Sequence, residues 1–536
     1  MSIPPTASCQ PTFVIGISGH MDLPESDLPE IRVRLHRIFT WLREAPDLAD
    51  SSDANLPGWW PQIERPPISG SGPVELRPLP GLGLTDCHIV LLTSLAPGSD
   101  TLAAEVARGL GIEVRAPLPF PPALYRESST FTANHVPVGA VEVFDTWTSG
   151  SAEQPIHHFP VLICSDLPLS PEERNHRFAT DLDVRERRHL RYRAAGEYIA
   201  AHSHLILILH QPDITFESDR FADTEAGAGA ILRVRRRGPT PGILPAGSHF
   251  PWIDSGEVFH VPVRSQKRTD MTDDEASSTK WQEIPARFLP PDHLLVESTG
   301  DDLPPELAIT ASEALLHNAR QLRTYAQKAA SESCPMPAAA LESMIGAGNL
   351  VEKGLSASGV EFLNRLAPFA QVRSIASSIA RSCEAKRAGL VRQMAAFAFF
   401  AALSFHCFAH WHVAHDVEPA AHSPVHAPVH ESPPAPSAKS PPQAAKAYGH
   451  ERDRLGIVFL LITLSLVACA TGVFIRYSRT QAEWLRFDAR SIAEGLRVQF
   501  FWCAAGLDAS VAARYMHRQK GELDWIRNTI SALSFP

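Results

Sequence analysis

The amino-acid sequence predicts an α/β protein: a Rossmann-like, doubly wound parallel sheet, followed by an α-helical region that carries a two-helix transmembrane hairpin. Three observations lead there. Short apolar, β-branched runs alternate with helical spacings over roughly the first 260 residues. Glycine-bearing turns follow several of those runs. Two long uncharged apolar stretches lie towards the C-terminal end. At 536 residues the chain is too long for one ordinary core, so two or more domains are expected.

The runs Phe13–Ser18, His88–Thr93, Glu113–Leu118, His204–Leu209 and Phe259–Val263 read as buried strands, the last of these closing the sheet. Apolar strands alternating with helices over about 260 residues point to parallel βαβ units with both sheet faces covered. Helical spacing over Arg32–Leu42, from the 99–101 turn through Leu110, and over Arg185–Ala201 supplies the crossovers. Ser99 or Asp100 is the expected N-cap of the second helix, because either side chain can accept from first-turn amides. Pro57–Gly83 reads as an inserted loop, and residues 223–235 as a glycine loop entering a helix. The α/β domain is therefore placed at 1–265.

A polar, Pro-containing linker is expected at 266–307 and a cytoplasmic helical region at 308–392, interrupted at Pro335-Met336-Pro337. Met394–Trp411 and Gly456–Ile475 contain no Asp, Glu, Lys or Arg and match the thickness of a bilayer's ~30 Å hydrocarbon core. Between them, the Pro-, Ala- and His-rich stretch 416–454 lacks the apolar residues for a core and reads as disordered. The membrane part is set at 393–477, with amphipathic helices at 478–536. Arg381, Lys386, Arg387 and Arg392 precede the first stretch, and Arg476, Arg479, Arg486 and Arg490 follow the second. The loop's Lys439, Lys446, Arg452 and Arg454 are offset by acids. This bias orients both termini to the cytoplasm of a multi-pass inner-membrane protein.

The net charge of −10 and pI near 6.2 argue against a nucleic-acid surface, and Arg233, Arg235, Arg236 and Arg237 read as a solvated helix end. Eight scattered cysteines with no C-x-x-C pair indicate neither a disulfide framework nor a zinc site. No metal or resident cofactor is expected.

In a doubly wound sheet, ligands bind at the carboxyl ends of strands. Gly16, Gly19 and His20 follow the first strand. Gly98, Ser99, Asp100 and Thr101 open the helix after the second, and Gly227 and Gly229 precede a later one. Glycines let backbone amides approach an anion, so these three loops are the candidate ligand site. His406 and His410 lie i, i+4 on one face of the first apolar stretch.

The strings VIGISGHMDL (14–23), LAPGSDTLAAEVA (95–107), APLPFPPALY (116–125) and YRAAGEYIAAHSHLILILHQ (192–211) resemble bacterial SLOG-type domains of the SMF/DprA–LOG superfamily, over about half the chain. The apolar pair with AEGLRVQFFW (493–502) and GELDWIRN (521–528) is similar to the SLATT-type two-transmembrane region that accompanies such sensors. The resemblance implies a nucleotide-derived ligand of the second-messenger kind, bound by the α/β half. It implies a membrane half acting as a homo-oligomeric effector in the bilayer, as a pore in bacterial antiviral defence. LOG-type relatives cleave nucleoside monophosphates with a glycine-rich loop followed by Thr and a catalytic Glu. Here Ala230-Ile231-Leu232-Arg233 follows Gly229, with no carboxylate, so a non-enzymatic reading is favoured. Glu105 is the remaining catalytic candidate for a membrane-tethered nucleotide-processing enzyme, and a non-catalytic membrane scaffold is the third reading.

Overall fold

A computed structural model of the chain describes residues 10–44, 59–60, 62–65, 75–132, 136–149, 156–210, 231–232, 234–235, 240, 242–244, 257–265, 286–289, 311–345, 357–413, 444–479, 482–507, 510–513 and 523–533. The strands are β1 (Thr12–Gly19), β2 (Gln62–Arg65), β3 (Glu75–Pro78), β4 (His88–Leu92), β5 (Glu113–Leu118), β6 (His157–Pro160), β7 (Leu205–His210), β8 (Glu257–Pro262) and β9 (Arg287–Leu289). The helices of the sheet region are α1 (Leu28–Trp41), α2 (Ser99–Gly109), α3 (Pro122–Tyr125), α4 (Ser129–Thr132), α5 (Ala140–Thr148), α6 (Pro171–Asp183) and α7 (Arg185–His202). After them come α8 (Ala311–Ala330), α9 (Pro337–Ile345), α10 (Ala357–Val413), α11 (Ala444–Arg479), α12 (Ala482–Ala504) and α13 (Asp524–Ala532).

Seven strands form one sheet in the order β6-β5-β4-β1-β7-β8-β9. The first six are mutually parallel, and β9 adds an antiparallel edge on β8. The chain builds outward from β1 to β6, then returns to the other side of β1 as β7. The strand order therefore reverses between β1 and β7. At the centre, Phe13, Val14, Ile15 and Ile17 are all buried, which is why FVIGIS shows no polar alternation. Val14, Val90, Ile206, Ile208 and Val258 point to one face and pack against Ile199 and Ala200 of α7 and against Ile231, Leu232 and Val234. On the opposite face the α1 Trp41 ring stacks on Phe259, with centroids 6.2 Å apart. Helix α8 lies against β8, β9 and the Leu84–Asp86 turn.

Several expectations need correction. The stretch 57–83 is more than a loop: β2 and β3 pair antiparallel within it. Phe259–Val263 does not close the sheet, because β9 forms inside the segment read as a linker. The 416–454 stretch read as disordered is helical from Ala444. Strand β6 escaped the sequence reading because an edge strand of sequence HHFP carries no apolar run. Among the described residues cysteines 87, 164, 383, 407, 469 and 503 are free thiols and Cys334 is disulfide-bonded.

Residues 1–379 and 488–536 belong to one compact unit, and 380–487 to a second. Within the first, α13 packs on β1 and α8. On α12, Ala489, Ile492, Leu496 and Phe500 of this unit are buried, as is Leu485 of the second, all as their helical spacing predicts. Within the second, the Ser404 hydroxyl of α10 donates to the Phe459 carbonyl of α11 at 3.0 Å. Arg387 meets Glu483 at 3.9 Å, and Arg486 meets Glu384 at 3.8 Å. Rising numbers on one side meet falling numbers on the other, so these segments run antiparallel. Among the described residues two helical stretches, one within α10 (Phe362–His410) and one starting in α11 (Arg454–Ala504), are long and apolar enough to cross a membrane. Only 11% and 6% of their most apolar stretches are buried, unlike the core helix of a soluble protein.

Candidate functional site

The carboxyl ends of β1 and β7 lie side by side where the strand order reverses, the position at which open α/β sheets take ligands. Parallel pairing continues to Gly19 and Leu209, and the His20 amide then donates to the Leu209 carbonyl at 3.1 Å. The loop after β4 locks onto this corner. The Ser99 amide donates to the His20 carbonyl at 3.0 Å, and the Ser99 hydroxyl donates to the same oxygen at 2.9 Å.

Two glycines are required for that closure. Gly98 has φ +87°, and a Cβ there would stand 2.6 Å from the carbonyl oxygens of His20 and Met21. A Cβ on Gly19 would stand 2.6 Å from both the Leu209 oxygen and the Ser99 hydroxyl. Gly16 sits deeper in β1, where a Cβ would collide with Ser203 and Ile199 of the α7 end. The structure thus brings Gly19, His20, Gly98 and Ser99 together and leaves Gly16 beneath them. Gly227 and Gly229 lie outside the described residues.

The other residues of the second loop serve its shape. Gly98, not Ser99 or Asp100, occupies the N-cap of α2, and no side chain caps it. Ser99 already spends its hydroxyl on His20. The Asp100 carboxylate turns inward and accepts from Ser94 at 2.8 Å. Burial raises the Asp100 carboxyl to about 6, against hydrogen bonds from Ser94, Thr93 and the Ala96 and Ser94 backbone. The Thr101 hydroxyl donates to the Gly98 carbonyl at 3.1 Å, and the Thr101 amide to the Ala96 carbonyl at 3.2 Å. Two first-turn amides of α2 are therefore bonded within the protein, which lowers the pull of this helix terminus on an anion. Glu105 stands on the surface, paired with Arg32 at 2.8 Å.

Histidines build the rest of the corner, and only one of them stood out in the sequence. The His20 and His210 rings are 4.2 Å apart, tilted by 33°. His20 Nδ1 lies 3.8 Å from an Asp22 carboxylate oxygen, and the other Asp22 oxygen accepts from the Ser265 hydroxyl at 2.6 Å. His260 Nε2 lies 3.2 Å from the His210 carbonyl. Arg264 clamps Asp27 with two hydrogen bonds of 2.8 and 2.5 Å, tying the exit of β8 to the entrance of α1. His210 ends β7, and His260 lies near the end of β8 and on the same face. A polar residue closing an apolar run is the signal that would have exposed His210; His260 interrupts the run VFHVPV, and only the pairing of β8 with β7 brings it to His210. Imidazole, carboxylate and hydroxyl groups at one strand-end corner can exchange hydrogen bonds with a polar ligand and can stack on a planar one. Among the described residues no group of His, Cys, Asp and Glu is placed to hold a metal ion.

Fold and site together define an α/β protein with a histidine-lined, strand-end corner, borne on one chain with two exposed apolar helices. No protein-family model matches the chain, and no match is found among curated proteins or solved structures.

Proposed function

We propose that the chain is a membrane-anchored sensor–effector. The α/β unit, a Rossmann-like, SLOG-like domain, binds a nucleotide-derived ligand at the β1–β7 corner. The apolar helix pair, a SLATT-like transmembrane hairpin of the bacterial inner membrane with both termini cytoplasmic, carries the response as a homo-oligomer, in the defence setting as a pore. The observation that carries this reading is the corner itself: Gly19, His20, Gly98 and Ser99 converge with His210 where the strand order reverses. The low burial of the two apolar stretches supports the membrane half. The ligand must favour one conformational state over another, since equal affinity for both would shift nothing. Glu105, exposed and paired with Arg32, gives little support to nucleotide cleavage.

The test is mass spectrometry of small molecules released from the purified full-length protein, beside a His20→Ala/His210→Ala variant that leaves the glycine packing intact. A nucleotide retained by the native chain and lost from the variant supports the sensor. Conversion of added nucleotides that disappears in Glu105→Gln would move the chain to the enzyme reading. Retention of no nucleotide from a broad panel would sink both.

A further inference from the structure

The C-terminal helix α13 is buried along its whole length, Asp524 to Ala532, although half of it is polar. Its charges are matched: Arg527 donates to Asp524 at 3.0 Å and reaches the Ala512 carbonyl at 3.4 Å. Thr529 bonds back to the Trp525 carbonyl at 2.8 Å. Five other polar atoms in this joint have no protein partner: the Tyr325 and Ser531 hydroxyls, and the three that face one space, the side-chain oxygens of Asn318 and Asn528 and the indole N–H of Trp525. These last three residues line one cavity of about 20 Å³ between β1, α8 and α13, whose remaining wall is Phe13, Leu315, Ala319, Leu322 and His204, the last already accepting from the Val14 amide through Nδ1. A buried polar group without a partner costs about 1–3 kcal/mol, so three around a single space call for an occupant.

Size and chemistry choose it. A water needs roughly 10–15 Å³ of such space, so the cavity admits one water and excludes a nucleobase or any organic ligand. The partners are one donor and two acceptors. A single water satisfies all three, accepting from Trp525 and donating to Asn318 and Asn528. We infer that an ordered water at this point is a structural part of the joint, bridging α8 and α13 against the first strand. Helix α13 follows the apolar pair in the chain, and the strand it covers ends at Gly19. The bridge therefore helps hold the returning end of the chain on the strand that carries the candidate site.

Hydrogen exchange of the full-length protein in detergent, read on peptides spanning 524–532, gives a test by sign. With the water present, Trp525→Phe and Asn528→Leu each strip a hydrogen-bonded partner, and exchange across α13 accelerates about tenfold. The two changes share one water, so the double variant accelerates little beyond either single one. An empty cavity predicts the opposite for Asn528→Leu, which removes an unpaired buried group and slows exchange or leaves it level; Trp525→Phe then loses only packing, and the double variant adds the two effects. Slowed or unchanged exchange in Asn528→Leu, or full additivity in the double variant, would overturn the bridge.

Discussion

The carbonyl oxygen of His20 accepts from Ser99 twice, from its amide at 3.0 Å and its hydroxyl at 2.9 Å. One backbone atom thereby joins the end of the first strand to the start of the second helix. The two ends of this clamp differ in their tolerance. Ser99→Ala should remove the hydroxyl bond alone and cost about 1 kcal/mol in unfolding free energy. Gly98→Ala should cost at least about 2 kcal/mol, because φ +87° is strained for alanine and its Cβ would meet two carbonyl oxygens at 2.6 Å. Unfolding of the full-length variants, followed by circular dichroism, checks the order. Equal costs would contradict the clamp.

Arg191 is fully buried between Asp166 and Asp181, and its guanidinium bonds to both. It also lies over the Phe178 ring, 4.4 Å from the centroid. Arg191→Ala would leave the two carboxylates the peripheral Arg177 and Arg187, each 3.8 Å away, and the Ile163 amide that donates to Asp166 at 2.9 Å. The expected cost is about 3–5 kcal/mol, the range for breaking a buried pair on one side. Replacing Arg191 by Met together with Asp166→Asn and Asp181→Asn should recover much of that loss. Failure of the triple variant to recover stability in chemical denaturation would show that the site's hydrogen bonds, not its charges, set the cost.

Two buried groups titrate in opposite senses. Burial raises Asp100 to about 6, and burial with the Arg235 charge lowers His204 to about 3. The fold therefore holds the Asp100 proton more tightly than the unfolded chain does. That contribution is present below the ordinary value of 3.8 and is lost as pH rises towards 6. The fold refuses the His204 proton, so that contribution is present above 6.5 and is lost as pH falls towards 3. From about pH 4 to about pH 6 the two slopes oppose. Asp100→Asn should make stability climb more steeply with pH across this window, and His204→Asn should make it fall. Thermal midpoints at closely spaced pH values decide this; an Asp100→Asn profile parallel to the native one refutes the assignment.

In the second compact unit, the Ser404 hydroxyl reaches across to the Phe459 carbonyl, which also accepts from Thr463 at 2.9 Å. With the apolar helices in a bilayer, Ser404→Ala should weaken their association by about 0.6 kcal/mol. The native protein should stay in the membrane pellet after alkaline carbonate extraction. Its release into the supernatant would remove the membrane reading.

The sequence by itself determined the parts whose signal is local. An apolar run without alternation marked β1, β4 and β7, because strands covered on both faces leave little room for polar residues. Length without charge marked the two apolar helices, and the spacing of Leu485, Ala489, Ile492, Leu496 and Phe500 marked the buried face of α12. Tertiary structure alone decided what depends on residues far apart in the chain. The edge strand β9 exists because the β8 edge offers unpaired amides and carbonyls, not because RFL prefers extension. Gly98 displaced the expected side-chain cap because the His20 carbonyl, 79 residues away from Ser99, had already claimed the Ser99 hydroxyl. His20 and His210 meet because β7 returns beside β1, and no spacing within either strand encodes that adjacency.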